Sequence, residues 1–387
     1  MKNKALIITI LLISLLPGVK ILAQDAPLNA IQTVVPFLTI APDSRAGAMG
    51  DAGVATSPDV FSMHWNPAKF AFIDGNGGFG ISYSPWLRAL VPDINLAYLS
   101  GYYRVDSRQV IAGSLMYSSL GDIQFTDDYG NYQSNFNPNE FSADVAYSRL
   151  FSEHFSGGVA LRFIYSNITG GFTVGSTETK AGIAFAADAS GYYHNDIKIG
   201  QRDGSIAAGF NFSNIGSKMS YTDSRDPDFI PMNMRLGTTG TIKLDKFNAL
   251  SLSLDINKLL VPTPPVYDTD GETILEGKDP NVSVPVAIFQ SFFDAPGGFS
   301  EEIREFTASI GVEYWYNEQF ALRAGYFNEA ESKGNKKYFT AGAGFRLNVF
   351  TLDFSYLVPV TQNNPLARTL RFSLGFDFDA LRNASKN

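Results

Sequence analysis

The chain has 387 residues, no cysteine, a formal net charge of −8 at pH 7 and 13% aromatic residues. The acidic balance argues against nucleic acid as a partner, and the lack of cysteine excludes disulfides, thiolate chemistry and a lipid carried on an N-terminal cysteine. With 35 glycines and near-zero mean hydropathy, the composition suits a sheet of which only alternate residues meet an apolar medium.

In chain order, Lys2 and Lys4 precede an apolar run from Ala5 to Leu16, then Pro17 and Gly18, with a cleavage point after Ala23. This is the layout of a secretory signal peptide over residues 1–23, and the run is too short to span a bilayer comfortably. Residues 24–76 are rich in Ala, Gly and Pro without period-two alternation, which predicts a plug carrying short helices. Strands are predicted at 77–84, 94–106, 108–120, 139–151, 155–168, 181–194, 204–215, 232–243, 248–258, 305–316, 319–329, 336–347, 349–359 and 368–378. A tail, 379–387, follows the terminal aromatic Phe378.

The last strand shows the pattern most clearly: Leu370, Phe372, Leu374, Phe376 and Phe378 alternate with Thr369, Arg371, Ser373, Gly375 and Asp377. Leu250, Leu252, Leu254 and Ile256 repeat it against Ser251, Ser253 and Asp255. In lipid, backbone groups are satisfied only in helices and closed barrels, and no stretch of the mature chain is long and apolar enough for a helix. The fold expected is therefore all-β and transmembrane: a 14-stranded antiparallel outer-membrane β-barrel over 77–378 with an N-terminal plug, or hatch. Short connections alternate with long ones except at 195–203, which is too long for a periplasmic turn; the alternation places both termini in the periplasm. Aromatics near strand ends (Tyr102, Tyr103, Tyr192, Tyr193, Tyr314 to Tyr316, Tyr356) suggest interfacial girdles.

A barrel this wide is not filled by its own side chains. Asp144, Arg162, Arg235, Asp255, Glu313, Arg323, Asp353, Arg371 and Asp377 are expected to point into the lumen, pairing with one another or with the plug. No nucleophile elbow occurs, and His64, His154 and His194 lack metal-ligand spacing, so neither an enzyme nor a metal or cofactor is expected. Asp268 to Glu272 lacks the positions of a calcium loop, and the glycines from Gly75 to Gly80 run into a strand, as a hinge would.

The plug carries the most specific words, Ser44-Arg45-Ala46-Gly47-Ala48-Met49-Gly50-Asp51-Ala52-Gly53-Val54-Ala55 and Trp65-Asn66-Pro67-Ala68. They resemble the hatch of the FadL-like outer-membrane barrels, with Gly47, Gly50, Gly53, Asn66 and Pro67 as its motif. Within that group the chain resembles the PorV (LptO) family of the Bacteroidetes type IX secretion system. The resemblance rests on Asn257 to Pro265, Asp294 to Glu302 and Asn364 to Phe372, and covers essentially the whole mature chain. It implies a carrier in the bacterial outer membrane. Such a carrier collects cargo with C-terminal secretion domains at the giant translocon barrel (Sov/SprA) and delivers it to the sortase-like PorU, which cleaves the domain and attaches surface glycolipid. The alternative is a FadL-type channel importing hydrophobic small molecules.

The connection from Leu259 to Arg304 is far longer than usual. Val261, Pro262, Pro264 and Pro265 should be extended. With Phe289, Phe292, Phe293, Pro296 and Gly297 they form the candidate partner-docking loop; a lid over the barrel is the other reading. The acidic loop from Asp122 to Tyr132 is a second docking candidate. Asn66 and Pro67 are expected to fix hatch geometry rather than touch a ligand.

Overall fold

The computed structural model describes residues 28–379, apart from 89, 90, 92, 127, 128, 172, 175, 176, 224, 225, 348, 362 and 363. The signal-peptide segment and tail residues 380–387 lie outside the described residues. Fourteen antiparallel strands close into one barrel. They are β1 (Gly77–Pro85), β2 (Ile94–Arg104), β3 (Gln109–Leu120), β4 (Asn139–Leu150), β5 (Phe155–Asn167), β6 (Gly182–Ile199) and β7 (Arg202–Gly216). The second half comprises β8 (Asn233–Lys243), β9 (Asn248–Leu259), β10 (Thr307–Tyr316), β11 (Phe320–Asn328), β12 (Lys337–Arg346), β13 (Phe350–Pro359) and β14 (Leu370–Asp377). Every strand pairs with its sequence neighbours, and β1 closes on β14 through Phe79 opposite Phe376 and Ile81 opposite Leu374.

Period-two alternation sets which face is which. Outward residues are apolar and exposed on successive strands: Leu99, Leu115, Val145, Leu161, Phe185, Leu236, Leu254, Ile310, Leu322 and Phe354. Inward neighbours are polar and buried, as with Ser142, Asp144 and Ser148 on β4, or Arg371 and Ser373 on β14. A soluble sandwich would reverse this arrangement; a barrel in the outer membrane requires it. Among the described residues no helix is long and apolar enough to cross a membrane.

Two expectations change. The supposed long connection at 195–203 is a tight turn, because β6 runs to Ile199 and β7 starts at Arg202, with Gly200 at φ 66°. The alternation of short and long connections is then unbroken. Among the aromatic pairs, alternation sends adjacent residues to opposite faces. Tyr103 and Tyr193 are exposed, but Tyr102 and Tyr192 are buried in the lumen against hatch residues Phe70 and Phe72.

The hatch contains α1 (Ser44–Gly47), α2 (Ser62–Trp65) and 3-10 turns at Pro36–Thr39 and Pro67–Phe72. It runs through the barrel from end to end. Asn29 is tied to Ser332, Pro264 and Glu301 in long connections, whereas Asn76 binds Asp379 at the short-turn end. Asn29 therefore lies at the long-connection rim and Asn76 at the short-turn rim. At the long-connection end, hatch residues Val35, Phe37, Leu38 and Phe61 join Leu96, Ile164, Ile230, Met232 and Leu260 in an apolar core inside the barrel mouth.

Candidate functional site

The hatch is seated by buried ion pairs and backbone contacts. Arg45 on α1 grips Glu313 of β10 with two parallel bonds (Nε–Oε2 2.9 Å, Nη2–Oε1 2.8 Å) and reaches Asp59 at 2.9 Å. Glu313 also accepts from Arg323 of β11 at 2.7 Å, and Arg323 donates to Asp353 of β13 at 2.6 Å. Glu313 and Arg323 are direct cross-strand partners, as are Asp144 and Arg162. Arg162 Nε donates to Asp144 at 2.5 Å and its Nη2 lies 3.3 Å from Asp188. A β-bulge on β7 serves Asp188: Asn214, at φ 60°, donates its N–H to Asp188 at 2.8 Å.

Asp255 of β9 accepts the N–H groups of Gly53 (2.7 Å) and Val54 (2.9 Å). Asn66 donates to Val54 O and to Gly191 O of β6, both at 3.0 Å, and caps the following turn through Ala68 N–H. Pro67 opens that turn, and its carbonyl accepts from Ser148 of β4 at 2.6 Å. The glycines give clearance: a Cβ on Gly53 would stand 2.3 Å from the Trp65 ring, and one on Gly47 2.8 Å from Arg371 Nη1. Gly50 combines φ 66° with a backbone approach to Tyr326. All five hatch-motif residues thus serve seating. Arg371 is fully buried, 3.9 Å from Asp51 and stacked at 5.7 Å over Trp86; Asp377 is exposed at the short-turn rim.

The candidate docking loop divides by depth. Val261, Pro262 and Pro265 are buried, Pro264 is half-buried with its carbonyl bound by Asn29, and Phe292 is half-buried 5.5 Å from Lys258 Nζ. In contrast, Phe289 on α3 (Val284–Gln290) is 73% exposed and the nearby Phe293 is 67% exposed. Pro296 is half-buried, and Gly297 donates its exposed N–H to Glu301 at 2.7 Å. On α4 (Phe299–Arg304), Phe299 and Ile303 are exposed too. One side of the connection closes the barrel mouth and the other faces outward. The second docking candidate forms a hairpin, Ile123–Thr126 against Tyr132–Phe136, with residues 127 and 128 outside the described residues.

A cluster not singled out from sequence bolts this connection down. Lys258 of β9 sits between Glu302 (3.4 Å) and Glu305, and Lys333 contacts Glu301 (2.6 Å) and Glu305 (3.0 Å). Asp294, Glu302 and Glu305 bring carboxylate oxygens within 4.8 Å of one another, a metal-like grouping. Lys258 and Lys333 already supply its positive charge. Burial, then the neighbouring Glu305 and Glu302 carboxylates, push Asp294 up to about 6 against the opposing Thr263 N–H bond. The acidic run in Glu301, Glu302 and Glu305 was the available signal, but its lysines lie on other elements.

Between hatch and mouth lies a cavity of about 630 Å³. Trp65, Asp51 and Arg235 line it, with Ala30 to Thr33 of the hatch and the mouth residues Lys258, Glu305, Glu329 and Lys333.

The family described as Type IX secretion system protein PorV matches residues 23–266. No curated protein matches the chain. Among solved structures, the toluene transporter TodX of Pseudomonas putida is 12% identical with a TM-score of 0.48, covering 90% of this chain and 98% of that one. A FadL homologue of Pseudomonas aeruginosa is 11% identical with a TM-score of 0.44, covering 91% of this chain and 100% of that one.

Proposed function

The chain belongs to the PorV family of type IX secretion system proteins, and from that premise we propose that it is the carrier of secreted cargo in the outer membrane. It receives proteins with C-terminal secretion domains at the giant translocon barrel (Sov/SprA) and hands them to the sortase-like PorU. Bond cleavage and glycolipid attachment belong to PorU; this chain performs no chemistry. Short turns face the periplasm in this reading, so the connection from 260 to 306 stands at the cell surface.

The observation that supports docking most is the outward face of that connection. Phe289, Phe293 and Phe299 are 73%, 67% and 79% exposed on a segment whose other face is packed and ion-paired. Large exposed aromatics on a fixed scaffold mark an interaction site. The importer alternative has weaker support. It asks for a continuous apolar passage, whereas the cavity above the hatch is bordered by Asp51, Arg235, Lys258, Glu305, Glu329 and Lys333.

Affinity purification of the C-terminally tagged protein from native outer membranes, read by mass spectrometry, tests the proposal. A very large barrel protein, PorU or proteins with C-terminal secretion domains should be recovered. Recovery of the barrel alone, with lipid-like molecules inside, would overturn the carrier in favour of the importer.

A further inference from the structure

We propose that the cavity above the hatch receives the free C-terminal carboxylate of an extended peptide, bound at Arg235; this rests on the carrier reading and specifies which part of a cargo protein enters the barrel. Its volume, about 630 Å³, falls in the range of roughly 300–1,000 Å³ typical of ligand sites, enough for a few residues of extended chain.

Arg235 sets the chemistry. Its side chain reaches the cavity from β8, yet the residue is only 6% exposed. It donates from Nη1 to the His64 carbonyl at 2.9 Å and lies 5.2 Å from the Trp65 ring. Among the described residues no carboxylate approaches within the 4.0 Å of an ion pair. Three other buried lumen arginines contrast with it, since Arg45, Arg162 and Arg323 each bind two carboxylates, and Arg371 has Asp51 at 3.9 Å. A buried guanidinium with no direct ion pair is costly, and one at a cavity wall, its Nη2 facing His64 Nε2 at 3.5 Å, has the planar geometry that binds a carboxylate.

The surroundings favour a peptide over an acyl chain. Asn257 is the direct cross-strand partner of Arg235, and Asn233 lies two residues before it on the same face of β8. Both line the cavity, and the Asn233 side chain makes no hydrogen bond among the described residues. Along the wall, the N–H groups of Ala30, Ile31, Gln32 and Thr33 likewise lack partners among the described residues. Side-chain amides and a free backbone edge satisfy peptide groups by strand-like pairing. A hydrocarbon would leave those donors unpaired, a penalty that selects against it.

The test uses the purified full chain in detergent and a fluorescein-labelled synthetic decapeptide. The peptide copies the last ten residues of a cargo with a C-terminal secretion domain and is made as the free acid and as the C-terminal amide. Anisotropy should show the acid binding about tenfold tighter or more, the effect of one charged hydrogen-bonded pair. Arg235→Gln, checked for barrel folding by heat-modifiable gel mobility, should bring the acid down to the amide. Equal affinities for the two peptides in the unaltered protein overturn the site, as does binding of dodecanoate but not of the free-acid peptide. If intact cargo co-purifies while acid and amide bind equally, the site fails and the carrier stands. If the acid is preferred but no cargo co-purifies, the carrier reading fails instead.

Discussion

The hatch seat and the long connection use the same kinds of residue in opposite ways. In the seat the anchoring groups are bonded: Arg45 to Glu313 and Asp59, Asp255 to two backbone N–H groups, Trp65 Nε1 to Asp43 at 2.6 Å. On the long connection, Lys258, Lys333 and three glutamates anchor one side while phenylalanines on the other touch nothing that hides them. Satisfied polar networks specify one arrangement, and exposed aromatics await a second surface. Rigidity belongs to the hatch seat, and under the proposed carrier role the outward face of the mouth is the docking side.

The contrast breaks first if the seat tolerates damage. Glu313→Ala would leave Arg45 with Asp59 alone and Arg323 with Asp353 alone in a buried site, at up to about 3–5 kcal/mol. Gly325→Val should be as severe, because a Cβ there stands 2.1 Å from the Met49–Gly50 backbone. Both variants should lose the folded, heat-modifiable gel band or unfold at markedly lower temperature. Wild-type mobility and melting would show that the hatch is held elsewhere. A smaller loss, about 1–3 kcal/mol, is expected for Asn66→Ala, which leaves the Val54 and Gly191 carbonyls without its amide. An unchanged denaturation midpoint for that variant would return Asn66 to the list of ligand contacts.

Much of this was legible in the chain. Period-two alternation located all fourteen strands, and it also implies direct pairs such as Asp144 with Arg162 once register is known. The β6–β7 hairpin is hard to read because His194, Asn195 and Asp196 interrupt the apolar alternation before it resumes at Ile197 and Ile199. Asp188 was readable, since Ile183 and Phe185 point out and it shares parity with the inward Ala184 and Ala186, but the alanine-rich stretch hides it. Arg45 and Asp43 were not readable as anchors. The hatch has no period, and their partners lie 268 residues away in Glu313 and 22 away in Trp65. Likewise, the exposed and buried halves of the long connection differ only in depth, a property of the assembled mouth.

On the recognition side the expected signs reverse. Phe289→Ser with Phe293→Ser removes two aromatics that are 73% and 67% exposed, so stability should change by no more than about 0.5 kcal/mol. Co-purification of the translocon or cargo should nevertheless fall sharply. Loss of melting temperature together with loss of partners would mean that these rings are structural, and the division between the two regions would fail.

The finest test concerns the bolt that joins the regions. Asp294 lies outside the membrane-spanning strands, accepts Thr263 N–H at 3.1 Å, and has its carboxyl raised from 3.8 to about 6. A carboxyl raised in the folded state adds stability that is complete below its unfolded value and lost as pH climbs through the folded one. The window therefore runs from about 4 to about 6, and the connection should be looser at pH 7.5 than at pH 5. Limited proteolysis between 260 and 306, with a protease active at both values, should cut faster at the higher pH. Asp294→Asn keeps the shape and cannot ionise, so its cleavage should be slow at both. If both proteins respond equally to pH, the bolt's pH response does not come from Asp294.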